Sequence, residues 1–153
     1  MADDLTALEA WAAPLLAKLQ PAQVRKITRE IARDLRRTQA QRIAKQQAPD
    51  ATPYPARKPP SKAHLRQQQG KIRQSMFNKM RTARHLRADS TDTEANVGFT
   101  GRTARIARVH QEGLRDQVQP GGPSYSYPVR ALLGITPQER EHIADQLLKH
   151  LTI

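Results

Sequence analysis

The sequence contains no cysteine and few aromatic residues, and both shortages narrow what the chain can be. Without cysteine there is no disulfide framework and no thiolate metal site. Only 4% of the 153 residues are aromatic and 37% are hydrophobic, which is little for a self-sufficient core. We therefore expect either that neighbouring subunits complete the apolar surface or that part of the chain forms extended arms.

Long apolar runs are missing as well. No stretch approaches the roughly 20 apolar residues needed to span a membrane. The amino terminus, MADDL, is acidic and lacks the apolar region of a signal peptide. These features predict a soluble protein that is made in the cytoplasm and has no membrane contact.

Acidic residues are absent from residues 51–88, a stretch that holds ten lysines and arginines. The whole chain has a formal net charge of +12. Because a surface this basic attracts polyanions, the charge favours nucleic acid or an acidic protein as a partner.

Two helices are predicted before residue 48. The first covers residues 3–19, with leucines at helical spacing and Pro14 as an expected kink. The second covers residues 21–47 and starts with Pro21, which the first helical position tolerates. Its apolar residues share one face, and its arginines lie on the opposite face. The arginine face is interpreted either as solvated or as a contact surface for nucleic acid or another subunit.

Residues 48–64 form a proline-rich segment whose composition excludes a helix and favours extended polyproline geometry. The segment is either a free linker or an arm that lies on an adjacent subunit. Tyr54 favours the arm, because a spacer needs no aromatic anchor. The candidate inter-subunit contacts are Pro49, Asp50, Tyr54 and Pro55.

Shorter elements follow the arm. Residues 65–86 are predicted to be partly helical, with Met76, Phe77 and Met80 facing the core, and residues 87–99 to form two short strands. Later in the chain, a helix over 103–113 is expected to end at Gly113, and a Gly-Gly-Pro turn to separate two extended pieces within 117–127. Thr136 and Glu139 form a capping box for a last helix.

Together these elements predict an α+β fold with N-terminal helices, a proline-rich extended arm, a small central antiparallel sheet and a C-terminal helix. We expect a single domain that covers residues 1–153. Its parts are a helical region (1–47), the arm (48–64), a mixed α/β region (65–135) and the C-terminal helix (136–153).

No motif for catalysis, metal binding or cofactor binding is present. The five histidines form no compact ligand pattern, and His142 and His150 are interpreted as surface residues. The sequence His110-Gln111-Glu112 is similar to the HxE fragment of zinc deaminases, but that site also needs a PCxxC motif, and the chain has no cysteine. We therefore predict that the protein is not an enzyme and has no cofactor and no metal site.

Two groups of arginines at helical spacing are candidates for a DNA-channel surface or a partner surface. Because no RNP motif, zinc finger or helix-turn-helix is recognisable, any contact with nucleic acid would be non-specific and made to phosphates. The candidates are Arg33, Arg36 and Arg37 in the second helix, and Arg102, Arg105 and Arg108 in and beside the helix over 103–113.

Several strings, in order along nearly the whole chain, resemble the bacteriophage tail completion protein S family, also called phage virion morphogenesis proteins. One departure is Ala51, because such proteins commonly have glycine after Pro-Asp, and a tight turn there is less expected. The strings are LRRTQ (35–39), QRIA (41–44), QQAPD (46–50), YPARK (54–58), MFNKMRTAR (76–84), VGF (97–99), GR (101–102), IARVHQEGLR (106–115) and YPVRALLGI (127–135).

This resemblance implies a structural virion protein that completes the head-proximal end of a phage tail and enables it to join a DNA-filled head. Related neck and tail-end proteins form rings, usually six-fold, around the DNA channel. The implied partners are further copies of the chain, the tail tube or terminator, neck proteins and packaged DNA. The implied location is the virion, after assembly in the host cytoplasm.

Two alternatives remain open from the sequence. One is a tail terminator, which caps polymerisation of the tail tube at nearly the same place. The other is a free cytoplasmic protein that binds DNA non-specifically. Such a protein would lose roughly 10³–10⁵-fold in affinity between 50 and 200 mM salt if it contacts 6–10 phosphates.

Overall fold

A computed structural model describes residues 2–57, 75–118 and 120–151 of the chain. The predicted α+β fold class is confirmed, and the strands form two separate two-stranded antiparallel sheets. The elements follow in the order α1 (Ala2–Leu16), α2 (Pro21–Ala44), β1 (Leu86–Ser90), β2 (Ala95–Phe99), α3 (Arg102–Glu112), β3 (Arg115–Gln117), β4 (Ser124–Ser126) and α4 (Pro137–Leu151).

Helix α2 connects two apolar cores. Its first half packs with α1 and α4 around Ile27 and Ile31, and its last turn buries Ile43 in a second core beside β1 and α3. Each fully buried aliphatic side chain contributes roughly 1.5–3 kcal/mol. The second core consists of Ile43, Tyr54, Leu86, Ala107 and Leu132.

The two hairpins place short strands beside the helices. Strand β1 pairs with β2 from Leu86 opposite Phe99 to Ser90 opposite Ala95, and both strands contact α2. Strand β3 pairs with β4, with Arg115 opposite Ser126. These positions agree with the short strands expected within residues 87–99 and 117–127, although β3 begins earlier, at Arg115.

The helix-end signals of the sequence are confirmed. Gly113 follows α3 with a positive φ of 66°, and its N–H donates to the carbonyl oxygen of Val109. At the start of α4, the Thr136 N–H donates to Glu139 Oε2 at 2.9 Å. The Glu139 N–H donates in return to Thr136 Oγ1 at 3.1 Å. These bonds satisfy backbone groups that a helix end otherwise leaves unpaired.

Residues 65–86 are predicted to be partly helical, and the described part of this range contains no helix: residues 75–77 have no regular structure, residues 78–85 form turns and Leu86 begins β1. Phe77 has a φ of +67°, which is incompatible with a right-handed helix. The expectation that Met76, Phe77 and Met80 face the core is confirmed, since all three pack on the second core. The rest of this predicted helix, over residues 65–74, lies outside the described residues.

The other helix boundaries differ by a few residues from the prediction. Helix α1 ends at Leu16 and contains Pro14, whereas α2 ends at Ala44 rather than at residue 47. Gln46 has a φ of +58°, which stops α2 from continuing.

Candidate partner-binding surfaces

One side of α2 presents a continuous set of cations. At about 100° per residue, positions 25, 29, 33 and 36 fall within about 80° of the helix circumference, and position 26 extends that arc. Within the part of the chain that the structure describes, none of these side chains forms an ion pair. We call this surface the basic α2 face; it consists of Arg25, Lys26, Arg29, Arg33 and Arg36.

The acidic residues of α2 lie on another side and contact α4. Glu30 Oε2 lies 2.8 Å from His150 Nε2. Asp34 Oδ2 accepts a hydrogen bond from Gln146 at 2.7 Å and lies 3.4 Å from His142 Nε2. The two histidines interpreted as plain surface residues therefore connect α4 to α2, and the acids of α2 do not neutralise the basic α2 face.

Arg37, the third member of the predicted α2 triplet, differs from the other two. Its Nη2 donates to Asp34 Oδ1 at 3.0 Å, in a pair one turn apart on the helix. Arg33 is exposed and Arg36 is partly exposed. Arg33 and Arg36 therefore present unneutralised charge, whereas the charge of Arg37 is partly compensated.

The predicted arginine triplet of α3 is mostly paired with acids of its own chain. Arg105 Nη2 donates to Asp116 Oδ1 at 2.6 Å, and Arg108 Nε donates to Glu112 Oε2 at 3.3 Å. Arg102 is exposed and forms no ion pair with a described residue. The two triplets therefore lie on separate helices. One of the three arginines is paired with an acid in the α2 triplet, and two of the three are paired in the α3 triplet.

Exposed apolar side chains lie on α3 and beside the strands of the β3–β4 hairpin. Ile106 is 47% exposed and Val129 is 59% exposed, and Leu114 and Val118 are also exposed. The backbone at Gly113, at the end of α3, lies close to Val129, since a Cβ on Gly113 would lie 2.7 Å from a methyl group of Val129. We call these four residues the hairpin apolar surface.

The described beginning of the proline-rich segment folds back in a turn before it extends. The Ala48 N–H donates to the Thr52 carbonyl at 2.9 Å, and the Ala51 N–H donates to the Ala48 carbonyl at 2.9 Å. Asp50 Oδ1 accepts from both the N–H and the hydroxyl of Thr52, and these bonds lower the pKa of Asp50. Ala51 has a φ of +68°, so the tight turn forms although alanine occupies it.

Tyr54 lies in the core of its own chain. Its ring packs edge-on against Phe77 with centroids 5.7 Å apart, and its hydroxyl donates to the Ala131 carbonyl at 3.2 Å. Burial raises the pKa of Tyr54 to about 12, so the hydroxyl remains a donor. Of the other arm candidates, Asp50 and Pro55 are exposed and Pro49 is partly exposed. Prolines 59 and 60 lie outside the described residues.

Arg130 fastens the segment just after Tyr54. The residue is 4% exposed, and its guanidinium donates to the Pro55 carbonyl at 2.9 Å and the Ala56 carbonyl at 2.8 Å. Its Nη1 also lies 3.2 Å from Nδ1 of His110. Periodicity does not reveal this role, because Arg130 follows a strand and bonds to backbone 74–75 residues earlier.

His110 belongs to a row of packed rings and not to a metal site. Its ring contacts Phe77 and Tyr127 at centroid distances of 4.8 and 4.9 Å. Burial and, secondarily, the Arg130 charge lower the pKa of His110 to about 4. The imidazole is therefore neutral near pH 7, and Nδ1 can accept a hydrogen bond from Arg130.

Two clefts on the described surface do not resemble catalytic pockets. A cleft of 210 Å³ lies beside α3, where its charged groups, Arg108 and Glu112, bond to each other. A cleft of 130 Å³ lies between α2 and α4. Among residues 5–57, 75–118 and 120–151, no three acidic or histidine side chains are close enough to hold a metal ion. The helices of those ranges are also too short or too polar to cross a membrane.

Comparison with known proteins gives matches that cover nearly the whole chain. The model of the phage virion morphogenesis family matches residues 3–152. Tail completion protein S of Escherichia phage P2 is 36% identical over 138 residues, which cover 90% of this chain and 90% of the phage protein. No solved structure shows significant similarity to the chain.

Proposed function

Because the chain belongs to the phage virion morphogenesis family, we propose that it is a structural, non-enzymatic protein that completes the head-proximal end of a phage tail. The relative that supports this role is named a tail completion protein and aligns over 90% of both chains. In this role the protein is located in the virion, and it makes the tail competent to join a head.

The protein acts as a ring of identical subunits, six in the arrangement we favour. The hairpin apolar surface carries this proposal, because exposed Val129 and Ile106 leave apolar area that a neighbouring subunit or tail protein would cover. A head-to-tail contact between identical subunits closes into a ring when its rotation permits. The composition supports the same arrangement, since 37% hydrophobic residues provide a small core for 153 residues.

The turn at residues 48–53 is a second contact between subunits in this proposal. Pro49, Asp50 and Pro55 reach solvent, whereas Tyr54 is buried in its own chain. Tyr54 and Arg130 would therefore hold the turn and the following backbone in place, while the exposed residues contact the neighbour. A backbone held in this way loses less conformational entropy when it binds.

The tail role is tested in a phage that lacks this gene. We expect filled heads beside separate tails of normal length in negative-stain images, and joined particles when the wild-type gene is supplied. Overlong tails would instead identify a terminator of the tail tube, and intact infectious particles would contradict any virion role.

The subunit contact is tested with Val129→Lys in the complementation assay and in purified protein. A charge at the centre of an apolar interface is strongly unfavourable, so this variant is expected to restore no joined particles and to run as a monomer. The matched control is Gln41→Lys, which adds the same charge at an exposed position of α2. Equal particle yields from the two variants would contradict the proposed interface.

A further inference from the structure

We infer that the basic α2 face binds the phosphate backbone of duplex DNA. This inference names a partner for the proposed tail-end protein and rests on that function for its setting in the phage.

The basic α2 face carries charge that no described acid neutralises. The five cations form no ion pair among the described residues, and the two acids of α2 contact His150, Gln146 and Arg37. Charges held free of internal partners remain available to an external anion. Helix α3 offers less, because Arg105 and Arg108 already bond to Asp116 and Glu112.

The absence of exposed apolar side chains on α2 favours nucleic acid over an acidic protein. Protein interfaces have an apolar core, whereas contacts to DNA are more polar and more positively charged. All of α2 is described, and none of its large hydrophobic residues is exposed. The hairpin apolar surface contrasts with it and fits a protein partner. The structure therefore separates a surface for polyanions from a surface for proteins.

The spacing of the cations suits a phosphate backbone. Residues 25 and 36 are separated by about 16 Å along the helix axis; Arg25 and Lys26 are adjacent in sequence, and the later cations follow at intervals of about 4–6 Å. Duplex DNA carries one phosphate per about 1.7 Å of its axis, so a surface of this length meets more phosphates than it has cations. All five residues can therefore each neutralise a phosphate without reading the base sequence.

The experiment measures binding of the purified full-length chain to a fluorescent 30-base-pair duplex of mixed sequence between 50 and 200 mM salt. Five neutralised phosphates predict a slope of about −4.5 in a plot of log affinity against log salt, or about a 500-fold loss over this range. The variant Arg25→Gln/Arg29→Gln/Arg33→Gln leaves two of the cations, so its expected slope is about −1.8, or about a 12-fold loss.

The matched control is Arg102→Gln/Arg105→Gln/Arg108→Gln, which removes the same charge from α3. This control is expected to keep the wild-type slope. All six positions are exposed, and glutamine is a good helix former, so circular dichroism should show folded protein in both cases. Poly-L-glutamate serves as a competing polyanion. It is expected to displace the duplex only when the concentration of its carboxylates exceeds the concentration of DNA phosphates.

Three results would overturn the inference. The first is an equal decrease in the salt slope in both triple variants, and the second is no binding by the wild type at 50 mM salt. The third is displacement of DNA by poly-L-glutamate whose carboxylate concentration is below the concentration of DNA phosphates. The last result would assign the face to an acidic protein. Binding by purified protein does not depend on tail assembly, and the images of the gene-deleted phage do not depend on DNA affinity, so failure of one proposal is distinguishable from failure of the other.

Discussion

Replacement of Ala51 by glycine is expected to stabilise the protein. Ala51 occupies the left-handed region with a φ of +68°, where the Cβ of an L-residue approaches the following carbonyl oxygen. The turn around it contains the hydrogen bonds of Ala48 with Thr52 and with Ala51 itself, and the Asp50 carboxylate also holds Thr52. Since Ala51 is exposed, removal of its methyl group creates no cavity in the core.

The magnitude follows from two opposing terms. The left-handed conformation costs an L-residue about 1–2 kcal/mol, and glycine avoids that cost. Glycine also loses about 0.5–1 kcal/mol more backbone entropy on folding than alanine does. Taken at the middle of both ranges, the net gain in the free energy of unfolding is about 0.5–1 kcal/mol. For a chain of this length, such a gain raises Tm by about 1–4 °C.

Urea unfolding and thermal melting of the wild type and Ala51→Gly at equal protein concentration measure this effect. The matched control is Ala13→Gly, at an exposed position inside α1, which should lose about 0.5–1 kcal/mol because the same substitution now acts in a helix. The two substitutions should therefore change stability in opposite directions. A loss of stability in Ala51→Gly equal to that of the control would refute the reasoning from backbone strain.

Substitutions at three other positions test contacts that hold the carboxy-terminal half together. Gln111→Ala removes the two hydrogen bonds that Gln111 accepts from the Leu132 and Leu133 N–H groups and the one that it donates to the Leu133 carbonyl. Urea unfolding should therefore show a decrease of about 2–4 kcal/mol in the free energy of unfolding, and a decrease below about 1 kcal/mol would contradict this contact. Thr136→Ala removes the cap of α4 and should cost about 1 kcal/mol, whereas Thr136→Ser should restore most of it. The pKa of His110 is about 4 in the folded protein and 6.5 in the unfolded chain. Because the unfolded chain therefore takes up the proton at a higher pH, the free energy of unfolding should fall as pH decreases from 6.5 towards 4. His110→Gln should show less of this fall, and an unchanged pH dependence would contradict it.

Local signals in the sequence predicted much of the fold. The capping box at Thr136 and the glycine at position 113 set helix ends through bonds within a few residues, and both are present. The apolar periodicity of α2 was also sufficient, because a long helix with one apolar side has few other ways to bury it. The family resemblance was confirmed by the match over residues 3–152.

Other features depended on contacts that no local pattern reveals. The spacing of Met76, Phe77 and Met80 resembled a helix, yet the Gln46 side chain binds both backbone groups of Met76, and Phe77 takes a positive φ. Tyr54 was expected to anchor a neighbouring subunit, and the structure places its ring in the second core of its own chain. The inter-subunit contact of the arm stays a prediction.

The sequence by itself determined the net charge of +12, the absence of thiol chemistry, and the positions of the long helices and their caps. These properties follow from composition and from interactions between residues close in the chain. Only the tertiary structure decided which cations remain available to a partner, because their neutralisation depends on acids brought near by packing. Packing of α4 on α2 occupies Glu30 and Asp34, and the β3–β4 hairpin brings Asp116 to Arg105. The basic α2 face is therefore a property of the fold, although each of its residues is visible in the sequence.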